Sequence, residues 1–169
     1  MRITRRQVLA ATALTAASTA GGVAAVGYAW WDQAPAPGLR ALAPAEHAFA
    51  QALAEAWMPP GGDPPLSGAD ARLGDWLDGL LDGQPATPRT QLKLLLHALD
   101  HLTLPTHGAP YTTLPLDTRT TVLRGWLQSD QYLLRNGVQA VVVLLSLGWT
   151  LHPDVVGLVR PWFGCAVGR

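Results

Sequence analysis

The sequence predicts an all-α fold, a single small bundle of five or six helices that follows an apolar N-terminal segment. Three observations carry this. Leucines, alanines and tryptophans recur at 3- and 4-residue spacing in successive stretches between residues 44 and 150. Of the 14 prolines, those beyond Met58 sit between these stretches or at their ends, where a helix stops or starts. The one strand-like run, Val141–Leu145, finds no partner run elsewhere in the chain, so it reads as part of a helix. Composition narrows the class further. Hydrophobic residues make up 49% and charged residues 14%, against roughly 25% charged in an average soluble protein, which excludes a disordered charged tail. Past residue 34 there are 9 basic and 11 acidic residues with a single lysine, Lys93, a balance of about −2 that leaves no footprint for nucleic acid. The lone Cys165 excludes an internal disulfide framework, a paired-cysteine zinc site and a covalent haem attachment.

Residues 1–36 form a segment of their own, and residues 37–169 the helical domain. Met1–Arg6 is short and basic, and Val8–Trp31 then runs 24 residues without a charge. This is the n-region and h-region pattern of a targeting segment. Its junction, Thr4-Arg5-Arg6-Gln7-Val8-Leu9, resembles the twin-arginine export signal, in which a hydroxyl residue and paired arginines precede two apolar residues. The weak hydrophobicity of the Ala/Thr/Gly-rich run fits that resemblance, which implies export of folded cargo to the periplasm or the outer face of the cytoplasmic membrane. Ala34-Pro35-Ala36 and Val23-Ala24-Ala25 are alternative cleavage points. A retained segment of this length would reach about 36 Å as a helix, enough to cross a hydrocarbon core of about 30 Å. Cleaved signal and retained anchor are both consistent with the residues. Ala34–Gly38 reads as a stiff extended linker.

The helices follow in order. Pro44 suits a first helical position, and Leu42, Phe49, Leu53, Ala56 and Trp57 form a stripe that ends at Met58-Pro59-Pro60-Gly61-Gly62. Ser67 with Asp70 reads as an N-cap and acidic first turn for a helix whose apolar face is Leu73, Trp76, Leu77, Leu80 and Leu81. Thr87-Pro88 restarts the chain after Gly83-Gln84-Pro85, and Leu92, Leu95, Leu96, Leu99 and Leu102 line the next helix. Pro105 to Pro110 reads as loop. Asp117 opens a helix carrying Val122, Leu123, Trp126 and Leu127. Gln131 to Thr150 is so apolar that it predicts a helix buried on all sides at the centre of the bundle. Pro153 begins a last short helix to Val159.

Chemistry-bearing patterns are sparse. His97 and His101 share a helix face at i, i+4 and would bind zinc only with a third ligand; without the intervening glutamate of a metalloprotease they read as ordinary surface or interface histidines. Asp75, Asp78 and Asp82 share a face and read as solvated. No pair of residues suggests catalysis, and no cofactor-binding or metal-binding residue is identified. Trp57, Trp76 and Trp126 read as core. Trp149, Trp162 and Phe163 gather toward the C-terminus beside Cys165, an odd cysteine in an exported chain, and together these four are the candidate partner interface.

Several segments taken together resemble the gluconate 2-dehydrogenase subunit 3 family. They are the twin-arginine start; Ala52–Pro59 running into a proline-glycine loop and followed by the Leu73–Leu81 helix; Leu114–Trp126, similar to the family's L-x-x-x-x-R-x-x-V-L-x-x-W helix; and His152–Gly157, similar to its P-x-V ending. At the tail the chain has Gly157-Leu158-Val159-Arg160-Pro161 where the family often has Gly-Tyr-x-Gly-Pro. The resemblance implies a non-catalytic accessory subunit. Its partners would be a large FAD-dependent dehydrogenase subunit of the glucose-methanol-choline (GMC) type, in some cases a c-type cytochrome subunit, and the twin-arginine translocase. FAD would belong to the large subunit and no cofactor to this chain. The alternative expectation is a stand-alone helical envelope protein anchored by residues 8–31.

Overall fold

The structure, a computed structural model, describes residues 33–159. By its contacts the chain divides into Met1–Ala34 and Pro35–Arg169, and the described helices belong to the second unit. They are α1 (Pro44–Trp57), α2 (Leu73–Asp82), α3 (Ala86–His101), the one-turn α4 (Leu104–His107), α5 (Leu116–Leu127), α6 (Tyr132–Thr150) and α7 (Pro153–Val159), with a 3-10 turn at Tyr111–Thr113. Six of these helices have seven residues or more, and no strand occurs among the described residues. The all-α expectation holds, and Val141–Leu145 lies within α6.

The central element is α1. It packs against α2, α3, α5 and α6, and Phe49, Ala50, Ala52, Leu53, Ala54 and Ala56 are all buried. Its small residues let neighbours approach closely: a Cβ placed on Gly68, in the loop before α2, would lie 2.2 Å from the Ala54 carbonyl oxygen. The expectation that Gln131–Thr150 occupies the centre is therefore corrected. In α6, Val138, Val141, Val142, Leu145 and Gly148 face inward, while Leu133, Val143 and Leu147 are exposed. A bundle this small has room for one surrounded helix, and the alanine-rich α1 is thinner than the leucine- and valine-rich α6.

Two buried carboxylates and one arginine fix α1 at both ends. At its start Asp78, on α2, accepts three successive backbone N–H groups, Arg40 N at 2.9 Å, Ala41 N at 2.8 Å and Leu42 N at 2.7 Å. Glu46, in the first turn of α1, takes the fourth, Ala43 N at 2.8 Å. Glu46 thus makes the N3 half of a capping box on the N-cap residue Ala43, and Asp78 satisfies the N–H groups of the segment leading into the helix, which would otherwise be stranded. At its other end Arg119 of α5 donates to the Ala52 carbonyl at 2.8 Å, to Glu55 at 2.7 Å and back to Leu114 O at 3.0 Å. The planar fork of arginine suits this three-way contact. Arg119 is the arginine of the Leu114–Trp126 motif, whose Trp126 stacks on buried Tyr111 (centroids 5.1 Å apart), which in turn meets Phe49 edge-on at 5.5 Å.

Local corrections follow from backbone chemistry. The linker is not extended: Leu39 N bonds to Ala36 O across Pro37-Gly38, with Gly38 at φ 88°, the proline–glycine order of a type II turn. Ser67 does cap a turn, its Oγ accepting Asp70 N at 3.0 Å, but Arg72 then adopts φ 50° and α2 proper starts at Leu73. α3 begins at Ala86, one residue before Thr87, with Pro88 still in the first turn. The Pro105–Pro110 region, expected as loop, begins inside α4 and leads into the 3-10 turn, which Asp100 holds by accepting Thr112 N at 2.9 Å. Trp57 is exposed rather than core, with its indole N–H donating to Ser146 Oγ at 2.9 Å.

Candidate functional site, an uncharged face on α6

The polar groups with most chemical potential turn out to hold the fold. His97 is a buried residue, correcting its reading as a surface or interface histidine: its Nε2 lies 2.9 Å from Glu46 Oε1, and Lys93 Nζ lies 3.4 Å from Glu46 Oε2. The buried carboxylate is thus matched by the only lysine of the chain and a histidine, as a charge removed from water must be. His101 turns its Nδ1 to the His97 carbonyl at 3.1 Å. Among the described residues no group of three or more His, Cys, Asp or Glu is placed to hold a metal ion. Of the acidic face, Asp78 is buried, not solvated. Burial works to raise its pKa, but the backbone N–H groups of Leu42, Arg40 and Ala41, assisted by the nearby His47, outweigh it and hold the carboxyl below its usual range. Asp75 pairs with His47 at 2.7 Å and with Arg72, and Asp82 with Arg40 at 3.5 Å near the surface. The hollow of about 590 Å³ between these groups interleaves both signs of charge along its wall, which gives no preference for an ion of either sign.

The feature the fold leaves unused is apolar. From Asn136 to Leu151 the chain carries no ionisable residue. The single charge of α6, Arg135, is turned onto the Ser129 carbonyl. Outward from α6 stand Leu133 (84% exposed), Val143 (64%) and Leu147 (48%), continued by Leu151 (58%). By length and composition α6 could cross a membrane, although its inner side is committed to the core. Beside this stripe lies an open groove of about 420 Å³ whose walls are Leu80 and Leu81 of α2, Pro88, Leu92 and Leu95 of α3, and Leu144 of α6, with Gln84 and Gln91 also lining it. Two close approaches position it. A Cβ on Gly137 would lie 3.0 Å from Leu95 Cδ1, and one on Gly148 would lie 2.5 Å from the Trp76 ring. The glycines thus let α3 and α2 lean against α6 with the groove between them. Burying the four exposed aliphatic side chains is worth roughly 4–8 kcal/mol, comparable to the lower range of about 4–15 kcal/mol that association costs.

Of the residues singled out in the sequence, Trp149 lies at the C-terminal end of α6, half-buried against the core, with its indole N–H donating to Leu66 O at 3.0 Å. Trp162, Phe163 and Cys165, and the export-signal residues Thr4, Arg5, Arg6, Val8 and Leu9, lie outside the described residues. Apolar content alone places every residue of α6 in the interior and so hides its outer face. The signal that could have found it is the spacing of Val138, Val141, Val142, Leu145 and Gly148, which alone fills one face of the helix and leaves Leu133, Val143 and Leu147 on the other.

A family model described as gluconate 2-dehydrogenase subunit 3 matches residues 44–145, from the start of α1 to the middle of α6. No curated protein and no solved structure matches the chain.

Proposed function

Because the chain belongs to the gluconate 2-dehydrogenase subunit 3 family, we propose that it is the non-catalytic accessory subunit of an exported, FAD-dependent dehydrogenase of the GMC type that oxidises a sugar or alcohol. Its large subunit carries the FAD and the chemistry. This chain supplies the twin-arginine signal at Thr4–Leu9 and stabilises the large subunit. A flavoprotein must fold around FAD before it leaves the cytoplasm, and a twin-arginine route accepts folded cargo, so the signal and the partner make sense of one another. A c-type cytochrome is a further partner of the assembled complex at the periplasmic side of the membrane.

The observation that carries this reading is the family match over the helical body. It is supported by the polar clusters of the body being spent on holding α1, and by the uncharged outer side of α6, which suits a subunit that works by contact. The test is purification of the tagged full-length chain from its native host. The expected result is a co-purifying large polypeptide with the absorbance of bound flavin, and dehydrogenase activity in that fraction but not in the separated small chain. In a host where Arg5 and Arg6 are both replaced by lysine, the flavoprotein should accumulate in the cytoplasm. Recovery of the small chain alone, or turnover by it in isolation, would refute the proposal.

A further inference from the structure

We infer that the large subunit docks on the outer side of α6 and seats an uncharged, apolar segment in the groove between α2, α3 and α6. This rests on the accessory-subunit reading and adds the place and chemistry of the contact. Three observations favour a protein surface over a bilayer, and the family's description as one subunit of a dehydrogenase puts another subunit of the complex ahead of a second copy. First, the feature is concave as well as apolar: the groove of about 420 Å³ is a shaped receptacle for bulky side chains, which a bilayer has no use for and which protein interfaces fill with aromatic or aliphatic anchors. Second, its lining has hydrogen-bonding capacity without charge, through Gln84 and Gln91. These side-chain amides can pair with the backbone of a docked segment, as at the polar rim of an interface. Third, the size is right. From Leu133 to Leu151 the helical rise gives about 27 Å, and two helix widths give about 20 Å, on the order of 500 Å² in projection. A standard interface buries roughly 800 Å² of the rougher accessible surface on each partner. Leu144 belongs to both parts: it lines the groove, while Ala140 and Leu147, one turn to either side on the same helix face, are exposed.

The test uses the full chain in its native host and reads bound flavin recovered with it. Val143→Asp combined with Leu147→Asp places charge on the stripe at exposed positions. Gln91→Trp fills the groove from its exposed wall and leaves the stripe untouched. Arg124→Glu, on the exposed side of α5, is the control. Each protein is first checked by thermal unfolding to match the parent chain. The expected result is a fall of about tenfold or more in flavoprotein recovery for the double variant and for Gln91→Trp, with Arg124→Glu unchanged. If the parent chain recovers flavoprotein and both variants recover it equally well, the docking face is wrong while the accessory-subunit reading stands. If the parent chain recovers none, that reading fails and the inference with it. Two further outcomes overturn the inference. One is loss of binding to phosphatidylglycerol/phosphatidylethanolamine vesicles in the double variant with flavoprotein recovery intact, which would give the face to the membrane. The other is a flavin-free dimer of the parent chain, dispersed by the same substitutions, which would give it to a second copy.

Discussion

Removing the Asp78 carboxylate tests whether the bundle is organised from the start of α1. Asp78→Ala deletes the acceptor for three consecutive N–H groups whose bonds measure 2.7 to 2.9 Å. Two of those bonds, from Ala41 and Leu42, are buried; the third, from Arg40, is partly buried. A buried donor left without an acceptor costs about 1–3 kcal/mol. Counting two such donors fully and the third at about half, for access to water, gives a loss of roughly 3–7 kcal/mol, a large share of the 5–15 kcal/mol that holds a typical domain together. Asp78→Asn should be much milder. Its carbonyl can keep the position of Oδ1 and both buried bonds, so only the Arg40 contact and the charge are lost, for about 1–2 kcal/mol. The assay is urea unfolding followed by far-UV circular dichroism, with the slope checked for constancy. The two variants should also differ in pH response. The folded-state pKa of Asp78 lies below its unfolded value, so its stabilisation is complete above the unfolded value of about 3.9. It is lost as pH falls through the lower folded-state value. The stability gap between the parent and Asp78→Asn should therefore be constant at neutral pH and narrow in acid below that point. An alanine variant within about 1 kcal/mol of the parent, or a gap that widens in acid, would refute the anchoring role.

Other consequences can be checked in the same way. His97→Leu leaves Glu46 Oε1 buried without its partner, the Ala43 N–H and Lys93 both being on Oε2, and should cost about 3 kcal/mol in urea unfolding. Arg119→Lys keeps the charge but not the fork that reaches Ala52 O, Glu55 and Leu114 O together, so a loss of about 1.5–3 kcal/mol is expected where a conservative surface change would show none. Gly148→Ala drives a methyl to 2.5 Å from the Trp76 ring and should destabilise by about 1–3 kcal/mol. Because the clash is with that ring, the same change made in a Trp76→Leu background should cost less, a coupling that a double-mutant cycle measures directly.

The helices were largely legible in the sequence because proline and apolar spacing are local signals. Pro44, Pro153 and the breaks at Met58–Gly62 and Gly83–Pro85 mark their limits, and Leu73, Leu77 and Leu81 face inward as their spacing says. The order of the layers was not legible. Apolar content points to α6 as the interior helix, yet burial depends on how closely neighbours can approach, and the alanines of α1 allow a closer approach than the valines and leucines of α6. The roles of the charged residues were hidden for a related reason. Asp75, Asp78 and Asp82 look alike on a helical projection. What separates Asp78 is the arrival of residues 40–42 from more than 30 positions away in the chain, which no local pattern encodes. His97 and Glu46, 51 residues apart, are the same case. Arg119 is the intermediate one: its motif was visible, but not its target.

These interior contacts bear on the docking inferred for the outer side of α6. The carboxylates of Asp78 and Glu46 fix the start of α1, Arg119 fixes its end, and α6 is packed onto the frame so made through its inner residues and the Gly148–Trp76 contact. The outer side of α6 is therefore presented by a rigid support rather than by a loop. Association of two proteins loses free energy for every side chain and segment that must be ordered on contact. A pre-ordered helix face with a preformed groove keeps that loss small, which matters when four exposed aliphatic side chains supply only roughly 4–8 kcal/mol. The same reasoning implies that substitutions at Asp78 or Arg119, far from α6, would weaken docking by loosening the support, and would do so in proportion to their effect on stability. Substitutions on the stripe itself would weaken docking without touching stability. Plotting partner recovery against unfolding free energy for both sets separates the two. The interior variants should fall on one line, and the stripe variants should lie below it at parental stability. If all variants share a single line, the face has no role beyond its contribution to the fold.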